Sequence, residues 1–474
     1  MLVVPSSAPV FASTAAAQGL LVPGEGATVT RRGALASLLH GKMGNAIVRG
    51  GLPEGEPQIS LSREPGRTTF YVALPPPGEH HNVVRYPIAV TGPGYAGILT
   101  SSSTRLPGLV SIADVAPSVR ALRRGARPRI RSQAEDEPLQ SLHRLDRRLD
   151  DAHAARVPGM LVLVCLMSVL GLLALVTRRA ELGRAAFLAA PSCIAVAVIM
   201  SAFGVTTPWV AVLALALAAG ALALGAGAYL RPGLPLALAL AALFAFLFAV
   251  MWANPEWNTL AVIGPHPDGG GRFYGVTNQV ETLLLAPALV LGALAGSLTL
   301  PAVGLMVAAG IAASRVGADG GGLVVYLASF LVLALRVLRL PAARAAAATA
   351  VAAGAALALV GIDAATGGSS HVTEAVGGGP GSLLDDLGRR LHLSGASIAS
   401  TWNNALLFAL GIAALVWLAV RRPRLPVLDA LLAGLAVSLV VNDTPADVAG
   451  WGGLSAVVLW VWLARTRERL RRLE

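Results

Sequence analysis

The sequence predicts a mainly α fold: a polytopic helical membrane bundle of about eleven spans, preceded by a small extracytoplasmic α/β domain. Three observations lead there. Charged residues make up 13% of the 474-residue chain and hydrophobic ones 55%, whereas a soluble protein carries about 25% charged residues. Apolar runs of about twenty residues recur after position 157, each long enough to cross a hydrocarbon core of about 30 Å. Before that position, strand-like and helix-like stretches alternate with charged linkers.

Residues 1–20, "MLVVPSSAPVFASTAAAQGL", have a short apolar start and an A-x-A-like end but no basic lead, and Pro5 and Pro9 interrupt the apolar part. They read as the tail of a signal peptide that starts upstream, or as a disordered terminus. In the α/β domain, 21–157, "TTFYVALP" and "NVVRYPIAV" have strand composition. "GLVSIADVAPSVRALRRG" reads as a buried strand, a turn and a short helix. "ARPRIRSQAEDEP" is a charged linker, after which Leu139, Leu142, Leu145 and Leu149 form one helical stripe leading into the membrane.

The spans expected in 158–465 lie near 158–177, 185–203, 208–229, 234–253, 282–300, 301–315, 321–337, 343–362, 403–420, 426–441 and 449–465. Pro301 leaves two readings for 282–315, a kinked hairpin or two short spans. Arginine in short loops marks the cytoplasmic side. "RRAELGR" at 178–184, Arg231, "RVLRLPAAR" at 336–344, "RRPR" at 421–424 and the basic tail, 466–474, all fall on one side by parity. The N-terminal domain is then outside and the C-terminus inside.

The formal net charge is +11, and Lys42 is the one lysine among the arginines. This excess sits largely in the topology-setting loops, so nucleic acid is not an expected partner. Cys165 and Cys193 both lie in apolar runs, where they pack as small apolar residues and supply neither a disulfide framework nor a zinc site.

The same parity places three unusual loops outside: "WANPEWNTLAVIGPHPDGGGRFYGVTNQVETLL", "SRVGADGGGLVVY" and "LVVNDTPADVAGWGG". Arg272 and Arg315 break the arginine bias that the other loops obey. An ionisable residue at membrane depth is costly and usually paired or functional. Glu281, Asp319 and Asp443 occupy equivalent positions, so two arginines and three acids can converge. "DGGG" at 268–271 and 319–322 bares backbone N–H groups near helix starts, an anion-holding arrangement, while Tyr274, Asn278, Asn442 and Thr444 offer neutral hydrogen bonds. The competing reading is structural: Asp and Asn beside glycines also cap helices.

His266 and Asp268 near Glu281, and His371 with Glu374, are His/acid pairs without helical ligand spacing, so no metal site is assigned and no cofactor signature is legible. In 363–400, Leu383, Leu384, Leu387 and Leu391 oppose Asp385, Asp386, Arg389 and Arg390, the pattern of a helix lying in the membrane interface.

"GGGRFYGVTNQVE", "GADGGG" and "VNDTPADVAGWGG" together resemble the recurrent motifs of an uncharacterised bacterial family of multi-pass membrane proteins, over roughly 250–453. Gln279 stands where that family more often has an acid, leaving Glu281 as the nearest carboxylate. "GPGYAGILTSSSTRLPGLVSIADVAPSV" at 92–119 resembles the closing segment of the alkaline phosphatase and sulfatase superfamily, with Ser118 in place of the usual Thr. The resemblance implies an α/β outer domain. That superfamily needs a Ser or Thr nucleophile beside paired metals; only His80 and His81 stand here, with no nucleophile motif, so the resemblance implies a catalytically dead remnant.

Three functions follow as expectations. The first is an envelope protein that binds an anionic lipid, a polymer or a partner at Arg272, Tyr274, Asn278, Glu281, Arg315, Asp319, Asn442 and Asp443, with membrane lipids as its surroundings. The second is a membrane enzyme acting on a phosphorylated envelope lipid or polymer. The third is a transporter or flippase, against which stand the absence of a visible internal repeat and of charges deep inside spans.

Overall fold

The computed structural model describes residues 1–43, 68–269, 272–339, 341–365, 401–442 and 444–471, together with Gly395, Ile398 and Ala399. The chain divides into two compact units. One comprises Met1–Ala154, Asn258–Leu260 and Pro265–Tyr274; the other comprises Ala155–Trp257, Ala261–Gly264 and Gly275–Glu474.

In the first unit the strands are β1 (Leu2–Val3), β2 (Ala17–Val22), β3 (Thr28–Thr30), β4 (Thr69–Val72), β5 (Glu79–His81), β6 (Tyr86–Thr91), β7 (Ile98–Ser101), β8 (Leu109–Ser111) and β9 (Ile130–Gln133). Among the described residues they form a seven-stranded sheet in the order β1-β4-β6-β2-β7-β9, with β8 also on β2, and a separate β3-β5 ribbon. The sheet is mixed, as β1 runs parallel to β4, β2 parallel to β7 and β8, and the remaining pairs are antiparallel. Helices α1 (Arg31–His40) and α2 (Val115–Arg123) complete it, and the expected strand, turn and helix of 108–125 fall on β8, a 3-10 turn at Ile112–Asp114 and α2. Leu21, Leu38, Phe70, Ile88, Leu99, Ile112 and Ile130 build the core.

Residues 1–20 are not a loose terminus in this fold. They contribute β1 and most of β2, a central strand, with Ala16 and Ala17 fully buried. Prolines 5 and 9 stop a helix there, while the continuous apolar run 19–22 suits a strand flanked on both edges. The boundary at 157 moves as well, because the first unit also takes Pro265–Tyr274 from between two spans. Leu260 and Phe273 pack with Val22, Leu106, Leu109, Leu145 and Leu149, so the leucine stripe meets its partners here. Gly269 is stitched by backbone bonds, its N–H donating to Asn82 O at 2.7 Å and its O accepting from Gly26 N at 2.8 Å.

The long helices are α3 (Pro138–Thr177), α4 (Ala180–Ala202), α5 (Pro208–Tyr229) and α6 (Leu234–Ala253), then a short α7 (Pro255–Thr259). There follow α8 (Asn278–Ala295), α9 (Leu300–Ala312), α10 (Gly320–Leu338), α11 (Ala342–Ala365), α12 (Trp402–Val420), α13 (Pro426–Val441) and α14 (Pro445–Arg471). Among the described residues, eight are long and apolar enough to cross a membrane: α3, α4, α5, α6, α8, α10, α12 and α14. The shorter α9 and α13 are also apolar. The 282–315 stretch is two helices, broken after Ala295 by Gly296 at φ 94°. Helices α4, α8 and α14 are the most enclosed, and α12 faces outward along most of its length.

Two close approaches set the bundle around the site. Helix α10 meets α13 where Gly434 faces Ser329; a Cβ at Gly434 would collide with the Ser329 Oγ. At Gly322, an added Cβ would stand 3.3 Å from the Asp319 carboxyl carbon and 3.4 Å from that of Glu281. Glycine lets backbone and carboxylates share that space.

Candidate functional site

A polar cluster lies inside the second unit where the starts of α8, α10 and α14 meet the end of α13. Each piece is positioned by ordinary helix-end chemistry. Thr277 caps α8, its side chain accepting from Val280 N at 3.2 Å. Asp319 caps α10, Oδ1 accepting from Gly322 N at 3.1 Å. Asn442 ends α13, its N–H donating to Ser438 O at 2.9 Å. Thr444 O accepts from Val448 N, opening α14. These caps satisfy backbone groups that the first and last turns of any helix leave over.

Side chains then cross between helices. Asn442 Nδ2 donates to Glu281 Oε2 at 3.1 Å and to Ser438 Oγ at 2.8 Å. Asn278 Nδ2 donates to Thr444 Oγ1 at 3.1 Å. Tyr326 OH, on α10, donates to the Glu281 carbonyl at 2.9 Å. Glu281 is 0% exposed, Asp319 4% and Asn442 3%, so the cluster is interior. Glu281 lies in the first turn of α8 and Asp319 at the start of α10, where the positive ends of helix dipoles favour negative charge.

Of the residues singled out by sequence, Asn278, Glu281, Asp319, Asn442 and Thr444 come together. Arg315 is exposed, in the turn before Asp319. Arg272 and Tyr274 belong to the first unit, where the Arg105 guanidinium lies 4.1 Å over the Tyr274 ring. Asp443, His371, Glu374 and the expected interfacial helix 383–391 lie outside the described residues. Tyr326 and Ser438 were not legible as site residues, although Ser438 stands one helical turn before Asn442, a spacing that could have pointed to it.

The His/acid pairing near 266–268 takes another form: His153 Nδ1 and Asp268 Oδ2 are 2.6 Å apart. Among the described residues no group of three or more His, Cys, Asp or Glu side chains is arranged to hold a metal. His80 and His81 sit on the β3-β5 ribbon opposite Val29 and Thr28, and a ring nitrogen of His80 contacts Pro77 O at 3.2 Å.

The segment 92–119 is organised by Asp114, which is fully buried. Its carboxylate accepts from Ser101 Oγ at 2.5 Å, Ser103 N at 3.0 Å and Ser103 Oγ at 2.8 Å, and Arg129 approaches at 3.4 Å. Ser118 Oγ donates to Asp114 O at 2.6 Å and accepts from Ile130 N at 2.9 Å. These bonds fasten the β7–β8 turn and β9 to the core. Elsewhere in this unit, burial works against the Arg85 charge, yet the hydrogen bond to Asp150 and the nearby Asp146 outweigh it and hold its pKa above the ordinary value. Burial also raises the Tyr95 hydroxyl, which donates to Ile130 O at 2.9 Å.

Comparison with family models, with curated proteins and with solved structures finds no match to this chain.

Proposed function

We propose that the chain is an integral membrane protein of the cell envelope that binds a hydrogen-bonding group of an envelope lipid or polymer at the cluster of Glu281, Asp319, Asn442, Asn278 and Thr444. The carrying observation is Glu281, fully buried and held by an asparagine from a helix 161 residues away. Capping does not require it, since Thr277 already serves the start of α8. A charged group at membrane depth costs roughly 3 kcal/mol on insertion scales and as a rule marks function.

The chemistry of the cluster favours a ligand presenting hydroxyl or amino groups. Carboxylate and amide oxygens accept hydrogen bonds from such groups, and Glu281, Asp319 and Asn442 bring both kinds together in a buried setting. Helices α9 and α13, of 13 and 16 residues, both end here. Their rise of roughly 20 and 24 Å falls short of a core of about 30 Å, which supports a site recessed below the membrane surface. The motif resemblance over 250–453 and the arginine loops support an envelope protein of about eleven spans with the cluster and N-terminal domain outside. A non-catalytic N-terminal domain is supported by Asp114 and Ser118, whose side chains fasten loops.

Native mass spectrometry of the detergent-solubilised chain, incubated with a total polar lipid extract, tests the reading. Wild type should retain a lipid adduct that Glu281→Gln and Asn442→Ala lose while keeping their helical content. Equal adduct occupancy in all three proteins rules this site out.

A further inference from the structure

Three polar groups on α14 stand apart from the cluster. Trp451 Nε1, Ser455 Oγ and Trp462 Nε1 are buried and have no hydrogen-bond partner among the described residues. Trp451 is 8% exposed, Ser455 3% and Trp462 3%. At about 100° per residue all three fall within roughly 40° on one face of the helix, and the outer two stand about 16 Å apart along its axis. Scattered packing defects have no reason to align this way.

That face is turned into the bundle. Trp462 stacks on Phe187 of α4, with ring centroids 5.0 Å apart and planes at 25°. A Cβ at Gly183 of α4 would stand 2.9 Å from the Trp462 Cα, so the two backbones are in close contact. The indole is thus packed against α4 over its ring face. Lipid offers no acceptor, because hydrocarbon cannot satisfy a polar group.

An indole N–H only donates, so each tryptophan needs an acceptor oxygen, whereas the serine hydroxyl can both donate and accept. Water meets all three requirements, and buried water typically makes about three hydrogen bonds to polar groups left over by the fold. We propose that α14 carries an internal file of water molecules held by Trp451, Ser455 and Trp462. Its upper end lies two turns from Thr444, which bonds Asn278 in the polar cluster. The file runs along α14 away from that cluster. It stands on α14 alone and does not depend on which ligand the cluster takes.

Hydroxyl-radical footprinting of the full chain in nanodiscs tests this, because radicals generated from nearby water oxidise indole rings. Trp451 and Trp462 should be oxidised well above an unirradiated control. Ser455→Leu, which puts an apolar side chain into the file, should lower both yields by about threefold while Trp209 and Trp252 stay unchanged. No oxidation of Trp451 and Trp462 in wild type overturns the proposal. So does an unchanged yield in a Ser455→Leu protein that elutes and melts like wild type. If the leucine variant does not fold, Ser455→Val takes its place with the same two outcomes.

Discussion

Replacing Asn442 by alanine removes both donors that its amide sends out, one to Glu281 Oε2 and one to Ser438 Oγ. A hydrogen bond to a charged partner is worth about 1.5–3 kcal/mol and a neutral one about 0.5–1.5 kcal/mol, so the loss should be about 2–4.5 kcal/mol. The partition between the two bonds is accessible through a second change. Glu281→Gln keeps an acceptor opposite Asn442 but makes the bond neutral. In that background Asn442→Ala should cost about 1–1.5 kcal/mol less than in wild type. The assay is a double-mutant cycle of unfolding free energies, measured by steric trapping in bicelles on wild type, the two single variants and the double variant. Independent sites add to within about 0.5 kcal/mol. Additivity inside that margin would refute a charge-assisted bond between Glu281 and Asn442, and with it the main tie between α8 and the end of α13.

Other consequences are equally direct. Arg85 is almost fully buried and pairs with Asp146 at 2.6 Å and with Asp150, joining the start of β6 to α3. Arg85→Ala should destabilise the N-terminal unit by about 2 kcal/mol, below the 3–5 kcal/mol of a fully buried pair because both aspartates remain partly solvated. Faster limited proteolysis within 1–154 would report it, and unchanged cleavage would argue against the anchor. Gly434→Ala should overpack the α10–α13 contact at Ser329 at a cost of about 1–3 kcal/mol, and adding Ser329→Ala should recover part of it. A thermal melt showing no loss in the single variant contradicts that contact. For topology, a cysteine placed in 421–424 should resist a membrane-impermeant thiol reagent in intact cells, while one in 364–380 should react. The opposite pattern inverts the arginine-based orientation.

Much of the architecture was legible because it is local. Long apolar runs favour long helices, and among the described residues eight helices are long and apolar enough to cross a membrane. The strands at 69–72 and 86–91, and the strand, turn and helix of 108–125, likewise follow from side-chain type and period. The three Gly-rich loops were visible as unusual, and their Asp319 and Asn442 could be named, since residues of this kind beside helix ends have few roles.

Which of those residues would meet was decided only by tertiary structure. Glu281 and Asn442 are 161 positions apart, and no periodicity in either helix states that their ends face one another. Charge sign misled for the same reason: Arg315 shares a loop with Asp319, yet one residue faces out and the other caps a buried turn. The segment 265–274 reads as an inter-span loop but folds with the N-terminal unit, because Phe273 finds an apolar cluster there and Gly269 finds backbone partners. The strand at 17–20 was not legible because a strand in the middle of a sheet is recognised by its neighbours, and those lie 67 to 89 positions further on. Hydrophobic pattern determined the elements of this chain and their order. Long-range contact, which pattern does not encode, determined which of their polar ends meet in the cluster.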